Sequence, residues 1–194
     1  MTLRPEQERA LAYARRRGTE APLADLRRRV AETFAALDAR LASIPAAHAR
    51  IRPAPAAWSV HEVVDHLIVS HRPAMDQLRT LLAGREPEGG PVPANLQSPE
   101  PLARGWAELV AELAAVHAGF LALLDGAADA SPQEARAPIE MVVKCATPDG
   151  ALEPVHWVER VDWKAFAAVI RVHALEHLHQ IERTLAAGGE PPAR

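Results

Sequence analysis

Four segments of this chain carry apolar residues at alternating three- and four-residue spacing, each for about twenty residues or more. That spacing places the apolar side chains on one face of an α-helix. In the first segment the stripe is Leu23, Leu26, Val30, Phe34, Leu37, Leu41 and Ile44, and Pro45 ends it. The second opens at Ser59, a good N-cap, with Glu62 three residues later in the capping-box position. Its stripe is Val60, Val63, Val64, Leu67, Ile68, Leu78, Leu81 and Leu82, with Gly84 as C-cap. Pro73 lies inside it and predicts a kink near residues 69–73. The third spans about Leu102 to Leu124, with Trp106, Leu109, Val110, Leu113, His117, Phe120 and Leu124 on its stripe. The fourth runs from about Asp162 to Ala187 and stops at Gly188-Gly189.

The connections differ in kind. Residues 5–17 read as a short Arg-rich outer helix ending at Gly18, and residues 46–57 as a Pro- and Ala-rich link. Residues 85–101 hold five prolines and two adjacent glycines and read as a long loop. Ile139–Ala146 reads as a short strand, Thr147–Gly150 as a turn, and Pro154–Val158 as a strand that pairs back. The expected fold is all-α: a four-helix bundle with long crossover loops and one small hairpin between the third and fourth helices. Its 194 residues fit a single domain over 1–194, with residues 1–18 as an N-terminal extension. Composition agrees, since 40 alanines beside 4% aromatics favour helix over a β-sandwich.

Charge and cysteine usage exclude some classes. A net charge of −3 argues against a globally basic nucleic-acid binder. Residues 1–52 nevertheless hold 11 of the 22 basic residues and 6 of the 25 acidic ones. That bias reads as a solvated Arg-rich helix face, or as a docking surface for an anionic partner. No run approaches 18 consecutive apolar residues, which argues against a membrane span. The N-terminus lacks the apolar stretch of a signal peptide, and Cys145 is the single cysteine, so a reducing cytoplasmic setting is expected.

Nine histidines stand against that one cysteine, and their positions separate them. On the fourth helix Phe166, Val169, Ile170, Ile181 and Thr184 define the inner face, and His173, His177 and Gln180 fall in the middle of it. Unpartnered buried polar groups each cost about 1–3 kcal/mol, so something must satisfy these three. The i, i+4 spacing of His173 and His177 stacks their rings on one face. The pair can chelate an ion, hydrogen-bond within the bundle, or flank its opening. His66 lies at the edge of the second helix's apolar stripe, with Glu62 one turn before it. A neighbouring helix can bring His66 opposite the pair, giving three neutral imidazoles with coordination positions left for water or substrate.

Two strings carry a family resemblance. Trp58-Ser-Val-His-Glu62-Val-Val-Asp-His66-Leu67 is similar to the second-helix signature of DinB/YfiT-like proteins, W-S-x-x-E-x-x-x-H-L. His173-Ala-Leu-Glu-His177-Leu-His-Gln180-Ile181 resembles their last-helix signature, H-x-x-x-H-x-x-Q-I. The resemblance implies a metal-binding four-helix bundle with His66, His173 and His177 as ligands to a divalent ion, nickel or zinc foremost, and often a homodimer. Better-understood relatives transfer low-molecular-weight thiols such as bacillithiol or mycothiol. The implied activity is thiol transfer to an electrophilic small molecule, or hydrolysis by a metal-bound water. The alternative is a non-catalytic, metal-stabilised bundle acting as a binding or stress-response module. No nucleic-acid or membrane partner is expected.

Other residues carry competing readings. Glu62 can hydrogen-bond a ligand or act as a base, but its capping role competes. Gln180 can orient a ligand or substrate, or bond a neighbouring helix. His117 reads as a satisfied core histidine, His61 and His179 as exposed, and His71 as pointing away from the site. Cys145 reads as inert, Trp58 as a core anchor, and Trp157 and Trp163 as packing or pocket residues.

Overall fold

In the computed structural model, residues 3–147 and 149–187 are described. The expected Gly188-Gly189 stop and Pro148 of the expected turn lie outside them. Six α-helices and one two-stranded antiparallel sheet occur among the described residues. They run in the order α1 (Pro5–Ala14), α2 (Leu23–Ala42), α3 (Ala46–Ala49), α4 (Val60–Leu82), α5 (Trp106–Asp125), β1 (Ala137–Ala146), β2 (Leu152–Val161) and α6 (Trp163–Ala187). The chain is therefore mostly helical rather than all-α.

Each of α2 and α4 packs against both α5 and α6. Their apolar stripes meet in one core in which Phe34, Leu37, Leu67, Leu78, Phe120, Trp163 and Phe166 are fully buried. Each such side chain contributes about 1.5–3 kcal/mol of burial. Phe34 and Phe120 meet edge to face with ring centroids 5.7 Å apart. Helix α5 is apolar and long enough to cross a membrane by composition, with a mean hydropathy of 1.7, although its longest unbroken apolar run is short. Its buried residues Leu109, Leu113, Phe120 and Leu124 belong to this protein core.

The long helices differ from expectation mainly at their ends. Ser59 caps α4 through the predicted capping box with Glu62. Pro73 sits inside α4 without ending it. Helix α5 starts at Trp106, not Leu102, with Gly105 in extended conformation as its N-cap and Arg104 just before it tied to Asp65 and Glu112. The link after α2 contains the single turn of α3, too short for a periodic signal.

Gly18 does not stop the first helix. After Ala14 the chain widens into a π-helical turn over Arg15–Thr19, with Gly18 as its fourth residue. A Cβ at Gly18 would lie 2.4 Å from Ala165 Cα and 2.8 Å from Ala165 N. Glycine lets this turn touch the backbone of α6. The Arg-rich N-terminal region is laced with ion pairs, among them Arg27 with Asp125 and Arg28 with Glu32. Such exposed pairs contribute about 0–1 kcal/mol each.

The hairpin is longer than the sequence suggests. Its register runs from Ala137 opposite Val161 to Ala146 opposite Leu152. Ala137, Ile139, Met141 and Cys145 alternate onto the buried face, and β1 lies against α1 and α6. The turn closes at Gly150, whose φ of +85° suits glycine.

Candidate metal centre

The centre lies where α4 faces α6. The i, i+4 spacing puts His173 and His177 on one face of α6, with Nε2 atoms 3.1 Å apart. From α4, His66 brings its Nε2 to 3.0 Å from the same His173 atom. One ligand atom from each of the three lies within 4.8 Å of the others. His66 is fully buried, whereas His173 and His177 keep partial exposure, so the cluster has one side that solvent reaches.

The outward nitrogens decide what the inward ones can do. His66 Nδ1 is 2.6 Å from the carbonyl oxygen of Leu96, and His177 Nδ1 is 2.8 Å from Gln180 Oε1. A carbonyl or amide oxygen only accepts, so each Nδ1 carries the proton and donates it. Both Nε2 atoms then present bare lone pairs towards His173. At 3.0 and 3.1 Å they can take either a proton carried by His173 Nε2 or, with that nitrogen bare as well, a cation lying among all three rings. Two imidazoles bound at about 2.0–2.1 Å to one ion also bring their nitrogens to about this separation. The donor set therefore fits a divalent ion.

Burial keeps these rings in the neutral form that ligates. It lowers His66, and it lowers His173 well below the ordinary histidine value, with neighbouring imidazoles adding to the effect. His177 is pushed down to about 4, first by burial and then by His66.

A loop completes the site. Asp65, the neighbour of His66, is fully buried and accepts from Ser98 N at 2.9 Å, Ser98 Oγ at 2.8 Å and Arg104 Nη2 at 2.8 Å. Burial alone would raise its pKa, but these hydrogen bonds and the Arg104 charge outweigh it and hold the carboxyl below its ordinary value. This clamp draws the loop after α4 over the outer face of that helix and sets Leu96 against His66. It also explains why every residue from 60 to 68 is buried, including His61, which was expected at the surface. His61 Nε2 is 3.1 Å from the Arg104 carbonyl oxygen.

The other candidates separate clearly. Glu62 is held by Ser59 N at 2.8 Å, Ser59 Oγ at 2.7 Å and Arg52, so its carboxylate serves the helix cap. Gln180 orients the ring of His177. The Trp58 ring lies 5.2 Å from that of His66 and walls the site. His117 stacks on Phe34 at 4.0 Å and reaches Asp38 Oδ1 at 2.7 Å. Cys145 is buried in the hairpin, on a different element from His66, His173 and His177.

The sequence reading missed His71. It is fully buried, and its Nε2 lies 3.0 Å from His173 Nδ1. A signal was present, because Leu67, His71, Ala74 and Leu78 share one helical stripe. Asp65, Leu96, Ser98 and Arg104 were also missed, since a clamp between a helix and a loop has no periodicity.

Helices with three histidines converging between two of them define a class of helical, histidine-centred proteins. Within it, the chain belongs to the DinB superfamily, whose family model matches residues 29–181 and so includes all three histidines. No curated protein matches the sequence.

Proposed function

We propose that this protein is a divalent-metal-dependent enzyme that transfers a low-molecular-weight thiol to an electrophilic small molecule, with hydrolysis as the close variant. The observation that carries this reading is the convergence of three neutral Nε2 atoms, two of them locked inward by outward hydrogen bonds. His66, His173 and His177 would hold the ion, nickel or zinc foremost. Such an ion supplies Lewis acidity, which lowers the pKa of a water or thiol that reaches it. The chain's own part is to bind and orient. Leu96 and Gln180 fix two ligand rings, Trp58 excludes water from one wall, and the partly exposed side at His173 and His177 admits the reactants. Cys145 is buried elsewhere, so the reactive sulfur would come from the small thiol.

The packing of α2 and α4 against both α5 and α6 supports a DinB-like four-helix bundle. We read residues 1–194 as one domain with residues 1–18 as an extension, since the family match begins at residue 29. A cytoplasmic homodimer acting on a small molecule, without nucleic acid or membrane, completes the proposal.

A second reading has its own support. His66 and His173 lie on different helices, so an ion there would also cross-link α4 to α6. In a non-catalytic binding or stress-response module this stabilisation would be the whole role. Elemental analysis of protein purified without chelator or nickel affinity, followed by a screen of thiols and electrophiles, tests both. One ion per chain and turnover with a thiol support the enzyme. One ion and a large loss of Tm on chelation, without turnover, support the module. A chain purified without any ion overturns both.

A further inference from the structure

Deep to the candidate metal centre, the four long helices each contribute one polar residue to a single layer of the core. These are His173 of α6, His71 of α4, His117 of α5 and Asp38 of α2. Their contacts run in order. His173 Nδ1 is 3.0 Å from His71 Nε2, the His71 and His117 rings have centroids 5.9 Å apart, and His117 Nδ1 is 2.7 Å from Asp38 Oδ1. Two buried nitrogens in this layer, His71 Nδ1 and His117 Nε2, have no hydrogen-bond partner among the described residues. They belong to the two rings on either side of the one gap in the series.

The polarity of the series can be worked out from both ends. Asp38 lies on the partly exposed side of the layer, and as a carboxylate it only accepts, so His117 carries its proton on Nδ1. His117 Nε2 is then a bare acceptor. At the other end, a His173 that turns its Nε2 lone pair towards His66 and His177 must carry its proton on Nδ1 and donate it to His71 Nε2. His71 then carries its own proton on Nδ1. The two unpartnered atoms are thus a donor and an acceptor, matched in sign across the gap. Each would cost about 1–3 kcal/mol if left alone.

We infer that one buried water joins His71 Nδ1 to His117 Nε2. The result is a continuous hydrogen-bond chain, Asp38–His117–water–His71–His173, which fixes the tautomer of His173. This inference rests on the metal reading only for the inward lone pair of His173. His71, His117 and Asp38 are positioning residues in it. Leu96 and Gln180 orient the other two imidazoles directly; His173, the ring in contact with both, is oriented from the far side of the core.

The test uses the full-length protein labelled with nitrogen-15. Long-range proton–nitrogen spectra at neutral pH distinguish the two neutral tautomers of each histidine, with Zn(II) as the added metal. His71 and His117 are expected to carry their protons on Nδ1; a proton on Nε2 of either overturns the chain. Zn(II) affinity is the second readout. His71→Phe should lower it about 10- to 100-fold, the range for partners that orient metal ligands. His71→Gln, whose amide oxygen can take the place of Nε2, should restore most of it. Asp38→Asn, at a partly exposed position, should mix the His117 tautomers and lower affinity several-fold. Undiminished affinity in a folded His71→Phe overturns the inference, and if that variant does not fold, Asp38→Asn and the wild-type spectrum decide. A wild-type protein that binds no Zn(II) would overturn the metal reading, while the tautomers of His71 and His117 would still judge the chain.

Discussion

Helix α6 holds two buried polar stretches, and they are built on opposite plans. At its start, Asp162 Oδ1 accepts from Lys164 N at 2.9 Å and Ala165 N at 3.0 Å, and its other oxygen takes the Thr19 hydroxyl. Lys164, also buried, donates to the Ala21 carbonyl at 3.1 Å and pairs with Asp129. Donors meet acceptors, and the charges are paired. Further along, His173 and His177 meet His66 imidazole against imidazole, with the Nε2 lone pairs of His66 and His177 converging on His173 Nε2. The first stretch pairs its charges within the protein and reads as architecture, fastening the N-terminal turn to α6. The second brings together three nitrogens that can hold a cation. Buried polarity alone does not mark a functional site; converging ligand atoms do.

The sharpest way to break the comparison is to supply the cation. At a free Zn(II) concentration about 1,000 times its Kd, the wild-type protein should gain about 4 kcal/mol of stability. His173→Ala should abolish that gain, read as the zinc-dependent shift in Tm. Gly18→Ala addresses the other stretch. The new Cβ would press on the backbone of Ala165, and overpacking of this kind costs about 3 kcal/mol. Urea unfolding should show that loss, and the folded fraction should bind zinc as wild type does. Lost zinc affinity in Gly18→Ala would mean that the two stretches are not independent.

Acid tests the histidine stretch next. In the metal-free protein His177 titrates near 4 when folded, against an ordinary value of 6.5. The unfolded chain then binds more protons between those values, so stability falls as pH drops from 6.5 towards 4. His66, His71 and His173 shift in the same direction. Asp65 and Glu62 shift downwards as carboxylates, so their contribution is lost only below their ordinary values of 3.8 and 4.5. Unfolding in chelator at pH 5 should therefore show roughly 2 kcal/mol less stability than at pH 7.5 from His177 alone. A flat profile over that interval would mean that the imidazoles are not held neutral.

What the sequence disclosed follows the same division. His66, His173 and His177 were legible because each sits on or beside an apolar stripe, where a polar residue needs a reason. The long helices and the hairpin were legible from their periods of 3.6 and 2. His71 was not placed at the site, because five residues of helix turn it well away from His66. Both nevertheless reach the same ring, since His66 meets Nε2 of His173 and His71 meets Nδ1. A helical wheel records direction on one helix and not which side of a neighbour's ring is met. His61 shows a related failure: its side of α4 is covered by a loop held by Asp65, Ser98 and Arg104, and no local pattern announces a cover. The close approach at Gly18 is equally silent, because a glycine against a backbone looks in sequence like a helix stop.

The smallest effect is predicted at Glu62, and it tests whether the capping carboxylate also serves the ion. Glu62 is one turn from His66, and position alone would allow it to orient a ligand or accept a proton. Its oxygens are instead engaged by Ser59 and Arg52, and burial is outweighed by those bonds, which keep its pKa low. Glutamine preserves the capping-box pattern while removing the charge. Glu62→Gln should therefore cost no more than about 1 kcal/mol, because the Arg52 side of the pair is solvent-exposed. Zn(II) affinity, measured by competition with a chelator, should stay within about twofold, against the 10- to 100-fold loss expected of a partner that orients a metal ligand. A loss of that larger size would place Glu62 in the working machinery of the site, and the division between closed architecture and open chemistry would have to be redrawn at the start of α4.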